Sequence, residues 1–183
     1  MYRTVETDRL LFKVLDGTKA DLVLEYYLKN KAFLKDWEPM RHDGFYSIET
    51  QAMSLDLDLS AMERGEMLRY WIFLKETDEL IGTIALTNII RGVFKSCYLG
   101  YKLSEKHTGH SYMTEAILKM VEIAFVELKL HRIEANIMPS NLSSKRVVIK
   151  NGFVDEGLSS KYLKINGKWE DHHRYVLIND DTI

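Results

Sequence analysis

Apolar residues along the chain follow two periods. Leu22, Val23, Tyr26, Tyr27 and Phe33 recur near helical spacing, and Ile48, Ala52, Leu55, Leu59 and Met62 form a second stripe, so the spacing predicts helices over 19–36 and 47–65. Ser47 stands where the second helix begins and Gly65 where it stops. The sharpest pattern runs over 112–130, where Met113, Ala116, Ile117, Met120, Val121, Ala124, Phe125 and Leu128 recur at three- and four-residue steps. Glu115 and Lys119 are spaced to pair on its outer face.

Between these helices the character changes to β-branched and aromatic runs. Strands are predicted over 10–15, 68–75, 80–86, 96–103 and 132–138, with Asp16-Gly17 turning the chain after the first and Thr77-Asp78-Glu79 joining the second and third. A short helix over 143–151 meets Gly152 at the position that favours a left-handed residue. Strands over 162–165 and 174–178 bracket Asn166-Gly167, a hairpin signal. The order is one strand, two helices, three strands, helix, strand, helix, two strands. That is a mixed α/β class with a largely antiparallel sheet. With two prolines and neither linker nor repeat, it reads as one domain over residues 1–183.

Charge and composition narrow the class. A net charge of -2 and a pI near 6.3 exclude the basic surplus of a dedicated nucleic-acid binder. The single Cys97 excludes an intrachain disulfide and reads as a small buried strand residue. No apolar run approaches the ~20 residues that cross a bilayer, and the N-terminal residues carry no apolar leader core. A cytoplasmic protein without nucleic-acid or membrane partners is expected. The histidines do not group as metal ligands: His172 and His173 are adjacent and point to opposite faces of a strand, so no metal is expected.

Two segments carry chemistry. The strand over 96–103 hands over through residues 104–111 to the long helix. A helix start has backbone N–H groups without intrahelical partners and a partial positive charge, which suits an anion. Gly109 and Ser111 are small enough for close approach, Lys106 offers a cation and Thr108 a hydroxyl. On spacing alone Gly109 serves equally as a simple turn residue, and neither a Walker loop nor a dinucleotide-binding glycine triplet is present. The second segment is Asn141-Leu-Ser-Ser144, which opens the short helix. Those side chains are both a helix N-cap cluster and a source of hydroxyl chemistry.

In combination the segments resemble the GCN5-related N-acetyltransferases (GNAT superfamily). Lys106-His-Thr-Gly109-His-Ser111 is similar to the Gln/Arg-x-x-Gly-x-Gly/Ala signature, with Lys106 and Ser111 as the two departures. Thr7-Asp-Arg-Leu-Leu11, Leu80-Ile-Gly82, Leu99-Gly-Tyr101, Tyr112-Met-Thr-Glu-Ala116, Asn141-x-x-Ser144 and Asn151-Gly-Phe153-x-x-Glu-Gly157 narrow the likeness to the ribosomal-protein (RimJ/RimL-like) branch. It covers nearly the whole chain.

The resemblance implies a sheet splayed between its fourth and fifth strands, with the pantetheine arm of acetyl-CoA lying between them. It places the arm along Tyr101 to Leu103 and the pyrophosphate at Lys106, His107, Thr108, Gly109, His110, Ser111, Tyr112 and Met113. Acetyl passes directly from thioester to amine. Ser144 is the implied general acid toward the leaving sulfur, and Asn141 the residue that positions the arm or the loop. The fourth- and fifth-strand positions that hold glutamates in relatives are Tyr98 and Asn136 here, so the general base is unassigned among His110, Glu134, His172, Tyr98 and water. Lys145, Arg146 and Lys150 form either a solvated basic face or a 3′-phosphate contact. Trp37, Glu38, Pro39, Met40, Tyr46, Tyr70, Trp71 and Trp169 are candidates for the acceptor wall, with Glu38, Asp43 and Asp171 as its carboxylates. The implied acceptor is a ribosomal or other protein N-terminus or a small amine. Exposed strand edges allow a homodimer. A non-catalytic acyl-CoA sensor and an unrelated nucleotide-binding fold are the competing readings.

Overall fold

The computed structural model describes residues 4–180; residues 1–3 and 181–183, the ends of the expected domain, lie outside the described residues. Strands Thr4–Glu6 (β1) and Leu10–Lys13 (β2) precede helices Ala20–Leu34 (α1) and Ile48–Glu63 (α2). Strands Leu68–Leu74 (β3), Leu80–Ile90 (β4) and Ser96–Leu103 (β5) follow, then helix Tyr112–Glu122 (α3) and strand Arg132–Ile137 (β6). Helix Leu142–Lys150 (α4) and strands Val154–Ile165 (β7) and Lys168–Ile178 (β8) complete the chain. All eight strands form one sheet in the order β1-β2-β3-β4-β5-β6-β8-β7. Every neighbouring pair is antiparallel except β5 and β6.

Alternation along β3 shows how the layers form. Tyr70 and Ile72 point into the core under α3 and α4, while Trp71 and Phe73 point into a second cluster with Val23, Tyr26 and Tyr27 of α1 and Leu55 of α2. Burying a large apolar side chain contributes about 1.5–3 kcal/mol, so helices on both faces fix the β3 register firmly. Trp71 stands edge-on to Tyr26 and Tyr27, with ring centroids 6.0 and 6.1 Å away. Tyr70 and Trp71 are therefore core residues, not the acceptor wall expected of them. Cys97 is buried, and that burial pushes its thiol up to about 12, which makes it inert.

Several boundaries differ from the sequence pattern for local reasons. The first strand ends at Lys13, and β1 pairs ahead of it in a piece too short to show alternation. The long helix leaves α geometry at Ile123–Glu127, a π turn in which Leu128 N–H donates to the Ile123 carbonyl at 2.9 Å. Its Glu115 pairs with Arg9, and Lys119 with Glu122, in place of the expected Glu115–Lys119 pair. Strands β7 and β8 are far longer than their apolar runs. Register shifts at Asp155/Leu158 and Ser159/Leu163 absorb Gly157 (φ +119°) and Lys161 (φ 50°). The hairpin tip is as expected, with Asn166 and Gly167 both at positive φ.

Candidate active site

The parallel pair β5–β6 holds for three rungs only: Ser96 with Arg132, Cys97 with Ile133 and Tyr98 with Glu134. Beyond Tyr98 the strands part, leaving a fork whose arms are 99–103 and 135–137. This is the expected splay. One wall of the fork faces α3 and α4 and carries Tyr101; the other is the open face and carries Tyr98, Glu134 and Asn136.

At the wide end of the fork β5 runs into the head of α3. Gly109 sits at φ +80° and Ser111 at φ 61°, so Ser111 adopts the left-handed backbone that glycine takes without penalty. The turn aims successive amides at one side. Among the described residues, the N–H groups of Gly109, His110, Ser111, Tyr112 and Met113 donate to no protein acceptor. A Cβ built on Gly109 meets no heavy atom within 4 Å, so the turn is uncrowded at that residue. Five free amides at the positive end of a helix fit a pyrophosphate.

Three residues expected in this cradle are engaged elsewhere. The amides of His107 and Thr108 donate to Ser104 and Glu105 carbonyls at 3.1 Å each, and the Thr108 hydroxyl donates to the Glu105 carbonyl at 2.8 Å. Lys106 reaches Glu79 on the turn before β4 at 3.4 Å. The His107 ring is buried against Ser104, 2.7 Å from Nδ1 to the hydroxyl, and burial lowers its basicity more than the nearby Glu79 restores it. A tight 3-10 turn over Glu105–His107 uses up the His107 and Thr108 amides.

Thr7 and Arg9 brace the cradle from the other end of the chain, a role that no local pattern in the sequence signals. Glu115 in the first turn of α3 accepts from the Thr7 hydroxyl (2.6 Å), the Arg9 amide (2.9 Å) and the Arg9 guanidinium (2.7 Å). Arg9 also donates to the His110 carbonyl at 3.1 Å and lies over the Tyr112 ring at 4.6 Å. Burial works against the Glu115 carboxylate, but these bonds together hold its pKa below the ordinary value.

On the inner wall, the Ser144 hydroxyl lies 2.5 Å from the Tyr101 phenol, whose single proton is within reach of both that hydroxyl and, at 3.2 Å, the Ser144 carbonyl. Burial pushes Tyr101 up to about 12, against a smaller opposing effect of Ser144, so the phenol stays protonated. Asn141 Oδ1 accepts from the Ser144 amide at 3.1 Å and the Ser143 hydroxyl at 3.0 Å. Asn141 thus caps α4, and that cap sets the position of Ser144.

The open face gathers residues from four strands. Tyr162 of β7 hydrogen-bonds Tyr98 of β5 and accepts from Asn136 Nδ2 of β6 at 3.3 Å; Asn136 Nδ2 also donates to Glu134 at 3.1 Å. His172 of β8 packs against Tyr162 at 5.6 Å, its Nδ1 donating to the Glu170 carbonyl at 3.0 Å. Of the base candidates, His110 lies in the cradle, whereas Tyr98, Glu134 and His172 share this face. Above it the loop after α1 meets the β7–β8 tip, where Asn166 N–H donates to the Glu38 carbonyl at 3.2 Å. Glu38 is buried and paired with Lys102 and Arg41. A cavity of about 130 Å³ opens there, lined by Glu38, Met40, Arg41, Asp43, Tyr46 and Asn166 among others. Among the described residues no cluster of metal-ligating side chains occurs, and no helix is long and apolar enough to cross a membrane.

A forked sheet beside a helix-head anion cradle, with a hydroxyl pair inside the fork, defines a class of protein that threads a long phosphate-bearing cosubstrate through its sheet. Residues 9–154 match the acetyltransferase (GNAT) domain. A probable N-acetyltransferase of Bacillus subtilis, YjcK, is 41% identical over 167 residues, covering 91% of this chain and 92% of the relative. The structure of ribosomal-protein-S5-alanine acetyltransferase from Vibrio fischeri superposes with a TM-score of 0.92 at 30% identity, over 98% of each chain. That of Mycobacterium smegmatis RimJ with CoA-disulfide gives 0.88 at 26% identity, covering 94% of this chain and 83% of that one. The chain belongs to the GNAT acetyltransferase family. It is an N-acetyltransferase with acetyl-CoA as its cosubstrate, and these findings support transfer over the sensor reading.

Proposed function

We propose that this enzyme acetylates the α-amine of a protein N-terminus, with a ribosomal protein as the natural class of acceptor. The observation that carries the reading is the Ser144–Tyr101 pair at 2.5 Å inside a fork that ends on five free amides. A name of the form ribosomal-protein-alanine acetyltransferase on a relative that matches over 98% of this chain supports the acceptor class. Acetyl-CoA supplies an acetyl thioester. The amides of Gly109 to Met113 hold its pyrophosphate, and the backbone of Tyr101 to Leu103, left without a strand partner on the fork side, lies along its arm.

Ser144 donates a proton to the leaving sulfur, whose free thiol pKa is ~8–9. Tyr101, held protonated, passes its phenol proton to Ser144 as Ser144 gives its own to sulfur, and the proton that the amine sheds on forming the amide returns to the phenol through water. Asn141 fixes Ser144 through the α4 cap. An α-amine, with pKa ~7.7–8.0, is partly neutral near pH 7, whereas a lysine at ~10.4 is not. A site without a dedicated carboxylate at Tyr98 or Asn136 therefore suits an N-terminus. Such an acceptor is met in the cytoplasm, and the edge strand β7 offers its backbone for a homodimer.

The test is incubation with acetyl-CoA and a set of ribosomal-protein N-terminal peptides beside spermidine and an aminoglycoside, with the acetyl group located by fragmentation mass spectrometry. Acetyl on the peptide α-amine is expected. Acetylation confined to the small amines rejects the acceptor class.

A further inference from the structure

Asn136 is the first residue of β6 on the open face past the last rung shared with β5. Chemistry fixes which way its amide points. Glu134 Oε1, 3.1 Å from Asn136 Nδ2, is a carboxylate oxygen and only accepts, so the nitrogen must face it, and the same nitrogen reaches the Tyr162 phenol oxygen at 3.3 Å. The other pole, Oδ1, is buried and has no hydrogen-bond partner among the described residues. Leaving a buried acceptor unpaired is costly, and native structures keep few such atoms.

The residue in register with Asn136 on β8 is Arg174, whose buried Nε likewise has no partner among the described residues. One rung of the sheet therefore carries an unpaired buried acceptor on one strand and an unpaired buried donor on its neighbour. Both belong to the face from which an acceptor must approach the fork. An amine followed by a peptide carbonyl, as at a protein N-terminus, supplies the complementary donor and acceptor; a polyamine supplies donors only. The Glu134 carboxylate beside Asn136 is paired with Arg132 at 3.2 Å, so it serves the rung as a fixed acceptor for the Asn136 amide.

We infer that the Asn136–Arg174 rung is the seat of the acceptor N-terminus: Asn136 Oδ1 accepts from the α-amine, Arg174 Nε donates to the first peptide carbonyl, and Tyr162 and Glu134 hold the Asn136 amide in that pose. The inference rests on the acetyltransferase reading above and names the residues that select its acceptor.

Steady-state kinetics of the full chain with an N-terminal-alanine octapeptide and with spermidine test it, using Asn136→Leu and Asn136→Asp, with the Kd for acetyl-CoA measured for each variant. Leucine removes the accepting oxygen, and a loss of about 30-fold in kcat/KM for the peptide is expected, as for one hydrogen bond to a charged group. Aspartate keeps an accepting oxygen but cannot donate to Glu134 or Tyr162 and adds a like charge beside Glu134, so it is expected to lose peptide turnover yet to keep clearly more of it than leucine. Acetyl-CoA binding is expected to stay within about twofold in both. If aspartate falls as far as leucine, Asn136 is only a structural donor and the inference fails. It also fails if leucine leaves peptide kinetics unchanged, or if the wild type turns over spermidine and not the peptide. Failure of the wild type to bind acetyl-CoA overturns the parent reading instead.

Discussion

Arg9 closes on Glu115, guanidinium to carboxylate at 2.7 Å, and so ties the second strand to the first turn of the helix that heads the anion cradle. A carboxylate at a helix N-terminus stabilises the helix dipole, yet here it stands beside the amides proposed to hold a pyrophosphate. Arg9 resolves the conflict by neutralising it and by holding the His110 carbonyl back from the cradle.

Replacing Arg9 with alanine is therefore expected to weaken acetyl-CoA binding by about three- to tenfold, most strongly at low salt. Titration calorimetry at two ionic strengths measures this. Adding Glu115→Gln to the Arg9→Ala variant is expected to restore part of the affinity, because the uncompensated charge is gone. A double variant weaker than the single one shows that charge at Glu115 is not the cause.

The same carboxylate gives a pH prediction. Its folded pKa lies below the ordinary value, so its contribution to stability is fully present above ~4.3, the unfolded value, and is lost as pH falls through the lower folded one. Thermal melts of the wild type and Glu115→Gln should differ at pH 7 and converge in acid. A gap that persists or widens below that window contradicts the assignment.

Gly109 separates backbone strain from occupied space. At φ +80°, alanine costs about 1–2 kcal/mol and puts a methyl into open space at the cradle's first free amide. Asparagine tolerates that φ but is larger. Gly109→Ala should lower Tm by a few degrees and raise the acetyl-CoA Kd about tenfold. Gly109→Asn should spare Tm and raise Kd at least as much. Unchanged Kd in both places the pyrophosphate elsewhere.

How much of this was legible in the sequence depends on the range of each interaction. The α3 stripe, the Asn166-Gly167 tip and the Gly152 stop were readable because each is a local pattern, and the fork and cradle came with the motif resemblance. The cradle's membership was not fully readable: whether an amide at His107 or Thr108 is free depends on the 3-10 turn over Glu105–His107. Nor could the roles of Thr7 and Arg9 be seen, since their partner lies over a hundred residues away. Tyr162 looked like a hairpin residue until β7 folded it over β6. The aromatic run at Tyr70 and Trp71 misled because residues suited to a cleft wall are equally suited to a core.

The most direct test of the account is the rate of coenzyme A release from acetyl-CoA with an N-terminal-alanine peptide, compared between wild type, Ser144→Ala and Tyr101→Phe. The account predicts peptide-dependent release in the wild type and a fall in kcat of about 10²-fold for Ser144→Ala. It predicts a smaller fall for Tyr101→Phe, with acetyl-CoA affinity held in both. Release that is unchanged in Ser144→Ala would show that the hydroxyl at the fork does not protonate the leaving sulfur, and the mechanism argued from the Ser144–Tyr101 pair would fall.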